Sequence, residues 1–132
     1  MEPPPLLTIS EWAQAERVLS PEASAEPGKW RNERNPALAK IMDSVSDPRV
    51  SEVVVMSGSQ LGKTELLLNI VGFHIAHDPA PILVVQPTLE MASAWSKDRL
   101  ANMLRDSPCL RDKVADPRSL ASGNTTLHKV FP

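Results

Sequence analysis

Two short apolar runs without polar alternation lie in the middle of the chain, at 53–56 and 82–85. Such runs, rich in Val and Ile, are typical of parallel β-strands covered on both faces. Apolar positions recur at helical spacing after each run, from Thr64 to about His77 and from Thr88 to about Leu104. The order strand, helix, strand, helix predicts right-handed crossovers and a parallel sheet flanked by helices. The stripe expected on the first of these helices comprises Leu67, Ile70, Val71 and His74.

The remainder of the chain divides into an N-terminal arm and one incomplete α/β domain. Residues 1–34 are the arm, because five prolines and five acidic residues within 1–27 favour an extended or loosely packed segment, with one short helix capped by Ser10. Residues 35–132 are the domain, which opens with a helix capped by Asn35. A last strand is expected at 125–131. The apolar face of the opening helix comprises Leu38, Ile41, Met42 and Val45.

The amino-acid composition limits the classes of protein to which this chain can belong. The chain has 132 residues, of which 42% are hydrophobic, so it can build one modest core. A formal charge of −2 excludes coating of nucleic acid by bulk positive charge, although residues 93–132 carry 7 basic against 4 acidic groups. The single cysteine, Cys109, excludes an intrachain disulfide. No apolar run of about 18 residues and no secretory signal is present, so a soluble protein of the cytoplasm without membrane contact is expected.

The candidate chemistry lies between the first strand and its helix. The segment Ser57-Gly58-Ser59-Gln60-Leu61-Gly62-Lys63-Thr64 matches the phosphate-binding P-loop (Walker A) pattern at every defined position except the first, where Ser57 stands for glycine. A buried strand before it and an amphipathic helix after it are the context that the motif requires. The sequence therefore predicts a nucleotide-binding loop.

Each residue type in the loop has a physical task. Gly58 and Gly62 permit positive φ, which lets backbone N–H groups converge on a phosphate. The helix that begins near Lys63 directs its positive end at the same phosphate. Lys63 would contact the β and γ oxygens of ATP, and the Thr64 hydroxyl would ligate Mg²⁺.

Hydrolysis also needs groups that this sequence does not show. After Thr64 no apolar run ends in Asp-Glu, which would orient Mg²⁺ and the attacking water. The segment Val114-Ala115-Asp116 is too short, and the run from Ile82 ends in Gln86-Pro87. We therefore expect phosphate binding without the full catalytic set.

Three weaker candidates have simpler structural interpretations. His74, His77 and Asp78 have helical spacing for a metal, but His74 falls on the buried stripe. Cys109 is most simply a packed or surface thiol. Four basic residues suit a DNA backbone, but they alternate with acids as on a solvated helix face. They are Arg99, Arg105, Arg111 and Lys113.

Several separated segments resemble the lambda-type phage terminase large subunits. They are residues 18–24 (VLSPEAS), 26–31 (EPGKWR), the P-loop followed by Glu65-Leu66-Leu67-Leu68-Asn69, and 78–91. Their order and spacing resemble the family across nearly the whole chain. The resemblance implies a P-loop NTPase fold of the RecA or helicase-like type, of which this chain is the first part.

The resemblance also implies a function. In that family an N-terminal ATPase drives double-stranded DNA into a procapsid through the portal, with a small subunit as partner and homo-oligomeric assembly, and a C-terminal nuclease cuts the DNA. ATP and Mg²⁺ are the implied cofactors, and the cytoplasm of a phage-infected or lysogenic bacterium is the implied location. Gln86-Pro87-Thr88 resembles the family's second conserved strand end. Leu38 stands where the family tends to place an adenine-reading glutamine, and the Walker B acids and nuclease carboxylates would lie beyond Pro132.

The residues are also compatible with two other classes of protein. A helicase-like DNA-dependent ATPase would share the loop, the strand order and Gln86-Pro87-Thr88. A non-catalytic nucleotide-binding or assembly module would use the loop without hydrolysis, which suits the missing acids.

Overall fold

The computed structural model of the chain describes residues 3, 5–114 and 125–132. Within these residues the architecture is mainly helical. A 3-10 turn spans Asn32–Arg34, and a π-helical turn over Trp95–Leu100 joins the fourth α-helix to the fifth. The α-helices are α1 (Ile9–Glu16), α2 (Pro36–Val45), α3 (Lys63–Ala76), α4 (Leu89–Ala94), α5 (Ala101–Asp106) and α6 (Pro108–Arg111).

The described residues form a single β ladder, which lies in the N-terminal arm. Strand β1 (Val18–Leu19) pairs antiparallel with β2 (Gly28–Lys29), with Val18 opposite Lys29. The ladder brings the residues that follow α1 next to those that precede the 3-10 turn. The arm is therefore folded back on itself rather than extended.

The two predicted central strands are not strands among the described residues. Segments 53–56 and 82–86 carry no ladder, and neither does 125–131. The prediction that both faces are covered is wrong here, since Val54 and Leu83 are 78% and 86% exposed. A parallel strand needs neighbouring strands for its hydrogen bonds and helices for both faces. The described part of the chain supplies no neighbouring strand to these segments.

The first two helices form close to the predicted positions, but with different caps. Thr8, not Ser10, caps α1, accepting a hydrogen bond from the Glu11 N–H at 3.3 Å. The Ser10 N–H instead donates to Asp43 of α2 at 3.2 Å. Helix α2 begins at Pro36 as predicted, although Asn35 makes no side-chain cap bond. Thr8 thus takes the capping position that local sequence assigns to Ser10, and Ser10 uses its backbone N–H in a contact with α2.

The N-terminal arm contributes to the hydrophobic core. Ile9 and Ala13 of α1 are fully buried and Trp12 is 2% exposed. The expectation of a loosely packed arm is therefore wrong for α1. Its short helix buries apolar side chains against α2 and α3, and this burial opposes the conformational entropy lost on ordering it.

Helix α3 is the centre of this core. It begins at Lys63 and ends at Ala76, close to the predicted bounds. The predicted single stripe is wrong, because Leu67 is 45% exposed while residues on several sides of the helix are buried. A helix buried around most of its circumference is packed between other elements rather than laid on one face. Its buried residues are Leu66, Leu68, Asn69, Val71, Gly72, Phe73 and Ile75.

Gly72 lets the indole of Trp12 approach the α3 backbone. A Cβ at this position would lie 2.6 Å from Cη2 and 3.2 Å from Cζ3 of Trp12. The same indole meets the Phe73 ring edge to face, with 6.3 Å between ring centroids. The arm therefore packs on α3 through the indole of Trp12, and this close approach depends on the missing side chain of Gly72.

Gly72→Ala should destabilise the chain by about 1–3 kcal/mol, because a buried methyl group placed against a rigid ring overpacks the core. Urea unfolding followed by far-UV circular dichroism measures the change. In a Trp12→Phe background, which removes the ring atoms concerned, the cost of Gly72→Ala should fall. Equal costs in the two backgrounds would contradict the proposed steric origin.

Candidate functional site

The eight residues of the predicted P-loop lie together at the N-terminus of α3. Ser57 to Leu61 are exposed, Gly62 and Thr64 are half-buried, and Lys63 is exposed. A turn at Ser59 and Gln60 reverses the chain before the helix begins. The structure thus places the predicted residues on one solvent-accessible loop that ends in a long helix.

Gly62 makes the junction between loop and helix. It has φ +89° and ψ 15°, a left-handed conformation that glycine adopts without strain. A Cβ here would also lie 2.7 Å from Cδ1 of Leu38 on α2. Two independent constraints, backbone angle and close packing, therefore require glycine at this position.

The N-terminus of α3 has the properties of an anion-binding site. Gly62 is its N-cap and offers no side chain to the N–H groups of the first turn. Those N–H groups have no carbonyl partner within the helix, and they lie at the positive end of the helix dipole. Backbone groups of this kind suit a phosphate ligand.

The positive φ inside the loop does not fall where the sequence predicts it. Gly58 is not among the described residues with positive φ, and Gln60 takes this role at +57°. The prediction for Gly58 is wrong, whereas that for Gly62 is confirmed. Local turn geometry selects the left-handed residue, and a glycine pattern alone does not identify it.

The side chain of Lys63 lies across the solvent-exposed loop. Its Nζ donates a hydrogen bond to the Ser57 carbonyl at 3.0 Å, so the ammonium group closes the loop on itself. The oxygen of a bound phosphate can replace this carbonyl as acceptor, since an exposed hydrogen bond contributes little net free energy. A lysine that spans the loop in this way is a suitable phosphate ligand.

The described residues do not place a metal-binding cluster beside Thr64. Within the described residues, no group of three or more His, Cys, Asp or Glu side chains could hold a metal ion. Asp78 follows the opposite end of α3, about 20 Å away at about 1.5 Å per residue. Asp116 lies outside the described residues. Thr64 would therefore hold Mg²⁺ only together with nucleotide oxygens and water.

Two residues near the loop were not anticipated from the sequence. Arg17 of the arm is 3% exposed and forms an ion pair of 2.6 Å with Glu65, the residue after Thr64. Asn35 donates from Nδ2 to the carbonyl of Leu61 at 3.4 Å. Both contacts join residues that are distant along the chain, so no local pattern could have indicated them.

The weaker metal candidate is not supported. His74 Nδ1 lies 3.0 Å from the carbonyl oxygen of Asp78, and its distance to the Asp78 carboxylate is 3.9 Å. The His77 Nε2 atom accepts a hydrogen bond from the Leu7 N–H at 3.4 Å. Both imidazoles also contact the Phe73 ring. His77 Nε2 therefore uses its lone pair in a hydrogen bond, His74 Nδ1 faces a carbonyl oxygen to which it can only donate, and both rings pack on Phe73.

The basic C-terminal helices are occupied by internal contacts. Arg105 bonds the carboxylates of Glu22 and Asp106, and these ion pairs hold the pKa of both acids below their usual values. Arg99 and Arg111 donate to backbone carbonyls at 3.5 and 3.1 Å. This favours the solvated-face interpretation over DNA contact.

Cys109 and Thr88 have structural roles. Burial raises the pKa of the Cys109 thiol to about 11, which keeps the thiol protonated and unreactive at neutral pH.

Thr88 caps α4 as predicted, accepting from the Met91 N–H at 3.1 Å. Its neighbour Gln86 lines a cavity of about 170 Å³ beside Trp95, one of whose walls is the predicted strand at 82–86.

Residues 24–132 match the model of the family described as "Phage terminase large subunit gpA, ATPase domain". The chain belongs to this family. It is 30% identical over 108 residues to the terminase large subunit of Enterobacteria phage P21, and 29% identical over 103 residues to that of Escherichia phage lambda. These matches cover 82% and 78% of the chain, and the matched part spans 16% of each relative.

Family membership confirms the resemblance seen in the sequence and carries an ATPase-domain assignment. The chain spans about one sixth of the length of the curated relatives it matches. No solved structure matches the chain significantly. Across the described residues, no helix has the length and apolar character needed to cross a membrane.

Gly62→Ala should destabilise the chain by about 2 kcal/mol or more, because it adds left-handed strain to a clash with Leu38. Thermal and urea unfolding measure the loss. Gly58→Ala is the matched control in the same loop: its added Cβ meets only Leu61 at 3.6 Å, an ordinary contact distance. We expect the control to stay within about 0.5 kcal/mol of the parent. Equal losses would show that the junction geometry is not the cause.

Proposed function

We propose that residues 57–64 bind the phosphates of Mg-ATP. The loop N–H groups and the N-terminus of α3 would hold the phosphate oxygens, and Lys63 would exchange its Ser57 carbonyl for the β and γ oxygens. Thr64 would contribute the protein ligand to Mg²⁺. The remaining loop residues, Ser57, Gly58, Ser59, Gln60, Leu61 and Gly62, would form the backbone of the cradle.

One observation carries this proposal. An exposed loop ends at a left-handed glycine that begins a 14-residue helix, and the lysine after that glycine reaches back across the loop. This arrangement joins a helix dipole, free N–H groups and one mobile cation at a single accessible point. A phosphate group is the ligand that uses all three.

For the whole protein we propose ATP-driven packaging of double-stranded DNA. The relatives are phage terminase large subunits, and this chain would supply the first part of their nucleotide-binding domain. In the intact protein, segments 53–56 and 82–86 would enter a parallel P-loop NTPase sheet. Oligomeric assembly, the small subunit, the portal of a procapsid and an endonuclease activity would belong to the same protein, in the cytoplasm of the bacterial host.

Family membership favours packaging over a general helicase-like ATPase. The described residues alone favour nucleotide binding without turnover, since no carboxylate cluster accompanies Thr64. Catalysis of phosphoryl transfer needs a held Mg²⁺, an oriented water and a positive charge on the γ-phosphoryl group. We therefore propose that this segment binds ATP and that hydrolysis requires further residues of the intact protein.

Lys63→Ala should weaken Mg-ATP binding by about tenfold or more, because it removes a charge-assisted contact to phosphate. Equilibrium binding of a fluorescent ATP analogue measures the affinity, and circular dichroism checks that helix content is unchanged. Lys97→Ala removes an exposed lysine from the π-helical turn and serves as the control. Equal affinity in the two variants would refute the assignment of the loop.

The 132-residue chain should release inorganic phosphate from ATP no faster than its Lys63→Ala variant, with or without DNA. The reason is that no group of three or more metal-binding side chains lies among the described residues. A steady-state phosphate assay measures this. Turnover above the Lys63→Ala background would contradict the expectation and would make Asp116 the next residue to replace.

A further inference from the structure

The strongest polar contact between the arm and the candidate site is an ion pair at the first turn of α3. Arg17 and Glu65 are separated by 48 positions in the sequence, and their side chains are 3% and 18% exposed. Glu65 directly follows Thr64 in the loop motif. The pair therefore joins the arm to the turn of helix that presents Lys63 and Thr64.

Arg17 is held by three elements at once. Its backbone N–H donates to the Ala13 carbonyl and ends α1, and its own carbonyl accepts from the Trp30 N–H at 3.0 Å. One guanidinium nitrogen donates to the Val18 carbonyl and another to Glu65. A planar guanidinium with both ends bound fixes the direction of its partner, which a lysine could not do.

Stability alone does not account for this ion pair. Removing a guanidinium from water has a large free-energy cost, and the attraction of a carboxylate offsets it only when the remaining donors are satisfied. Here the Nε of Arg17 is buried without a hydrogen-bond partner in the described structure. A pair of well-packed apolar residues of similar size would often be as stable. The fixed orientation of the two side chains is therefore the property that a role other than stability would explain.

We propose that Arg17 is a positioning residue for the nucleotide-binding loop, which clamps the first turn of α3 through Glu65 so that Lys63 and Thr64 are pre-oriented for phosphate and metal. This inference rests on the proposed function of the loop. The arm thereby becomes part of the binding site without touching the ligand. Pre-orientation lowers the entropy lost on binding and so raises affinity.

The main test replaces both partners with apolar residues, Arg17→Met together with Glu65→Leu. Neither charge is then left buried alone, so the double variant should keep its unfolding temperature within a few degrees. Amide exchange within residues 57–66, read at the hydrogen-bonded amide of Leu66, should accelerate by about tenfold, because the bond from the Leu66 N–H to the Gly62 carbonyl is no longer braced. Affinity for Mg-ATP should fall by about tenfold.

A matched control cuts a different ion pair between the arm and the helices. Arg105 and Glu22 are both more than half exposed and join the arm to α5. Arg105→Met with Glu22→Leu should leave exchange over 57–66 and ATP affinity unchanged. If the main double variant fails to fold, Arg17→Lys is the alternative, because it keeps the positive charge and removes the planar guanidinium. It should accelerate amide exchange and lower the affinity for Mg-ATP, both by a smaller amount.

Two results would overturn the proposal. Unchanged exchange over 57–66 in the main variant would show that no clamp exists, and this holds whether or not the chain binds nucleotide. Faster exchange with unchanged ATP affinity would show that the pair is structural only. A parent chain that binds no better than Lys63→Ala would instead refute the proposed function, while the exchange measurement still decides the clamp.

Discussion

The contact of Trp12 with Gly72 is the constraint on which the rest of this structure depends. It brings the N-terminal helix onto the middle of α3, where a Cβ on residue 72 would lie 2.6 Å from Cη2 of Trp12. Through it α1, α2 and α3 share one core, in which Ile9, Trp12 and Met42 are almost completely buried. A helix held from several sides is rigid along its length, and rigidity is what the loop at its N-terminus requires.

The candidate site divides its tasks between a packed helix and an open loop. Leu38 lies against Gly62, so the core extends to the junction residue and stops there. Beyond it, Ser57 to Leu61 are exposed and Lys63 crosses the loop to Ser57. The loop is therefore anchored at its C-terminal end, where the helix dipole acts, and exposed to solvent before that point.

The exposed apolar segments show how much of the domain is organised without a sheet. The helices pack on one another, while Val54, Met56, Leu83 and Val85 remain more than three-quarters exposed. Long apolar edges of this kind promote association unless other chain covers them. The relatives are much longer than the matched part, so in them additional sequence accompanies the corresponding segments.

The sequence by itself determined the features that depend on residues close together along the chain. The bounds of α2 and α3, the cap by Thr88 and the left-handed glycine at position 62 all follow from local rules, and the family could be identified from short segments. Tertiary structure decided what depends on partners distant in the chain. Arg17 reaches Glu65, Trp12 reaches Gly72, and the backbone N–H of Ser10 bonds Asp43 while Thr8 caps the helix. The two apolar runs were predicted as strands from their pattern alone. A strand also needs neighbours to complete its hydrogen bonds, which is a property of the assembled domain and not of the run itself.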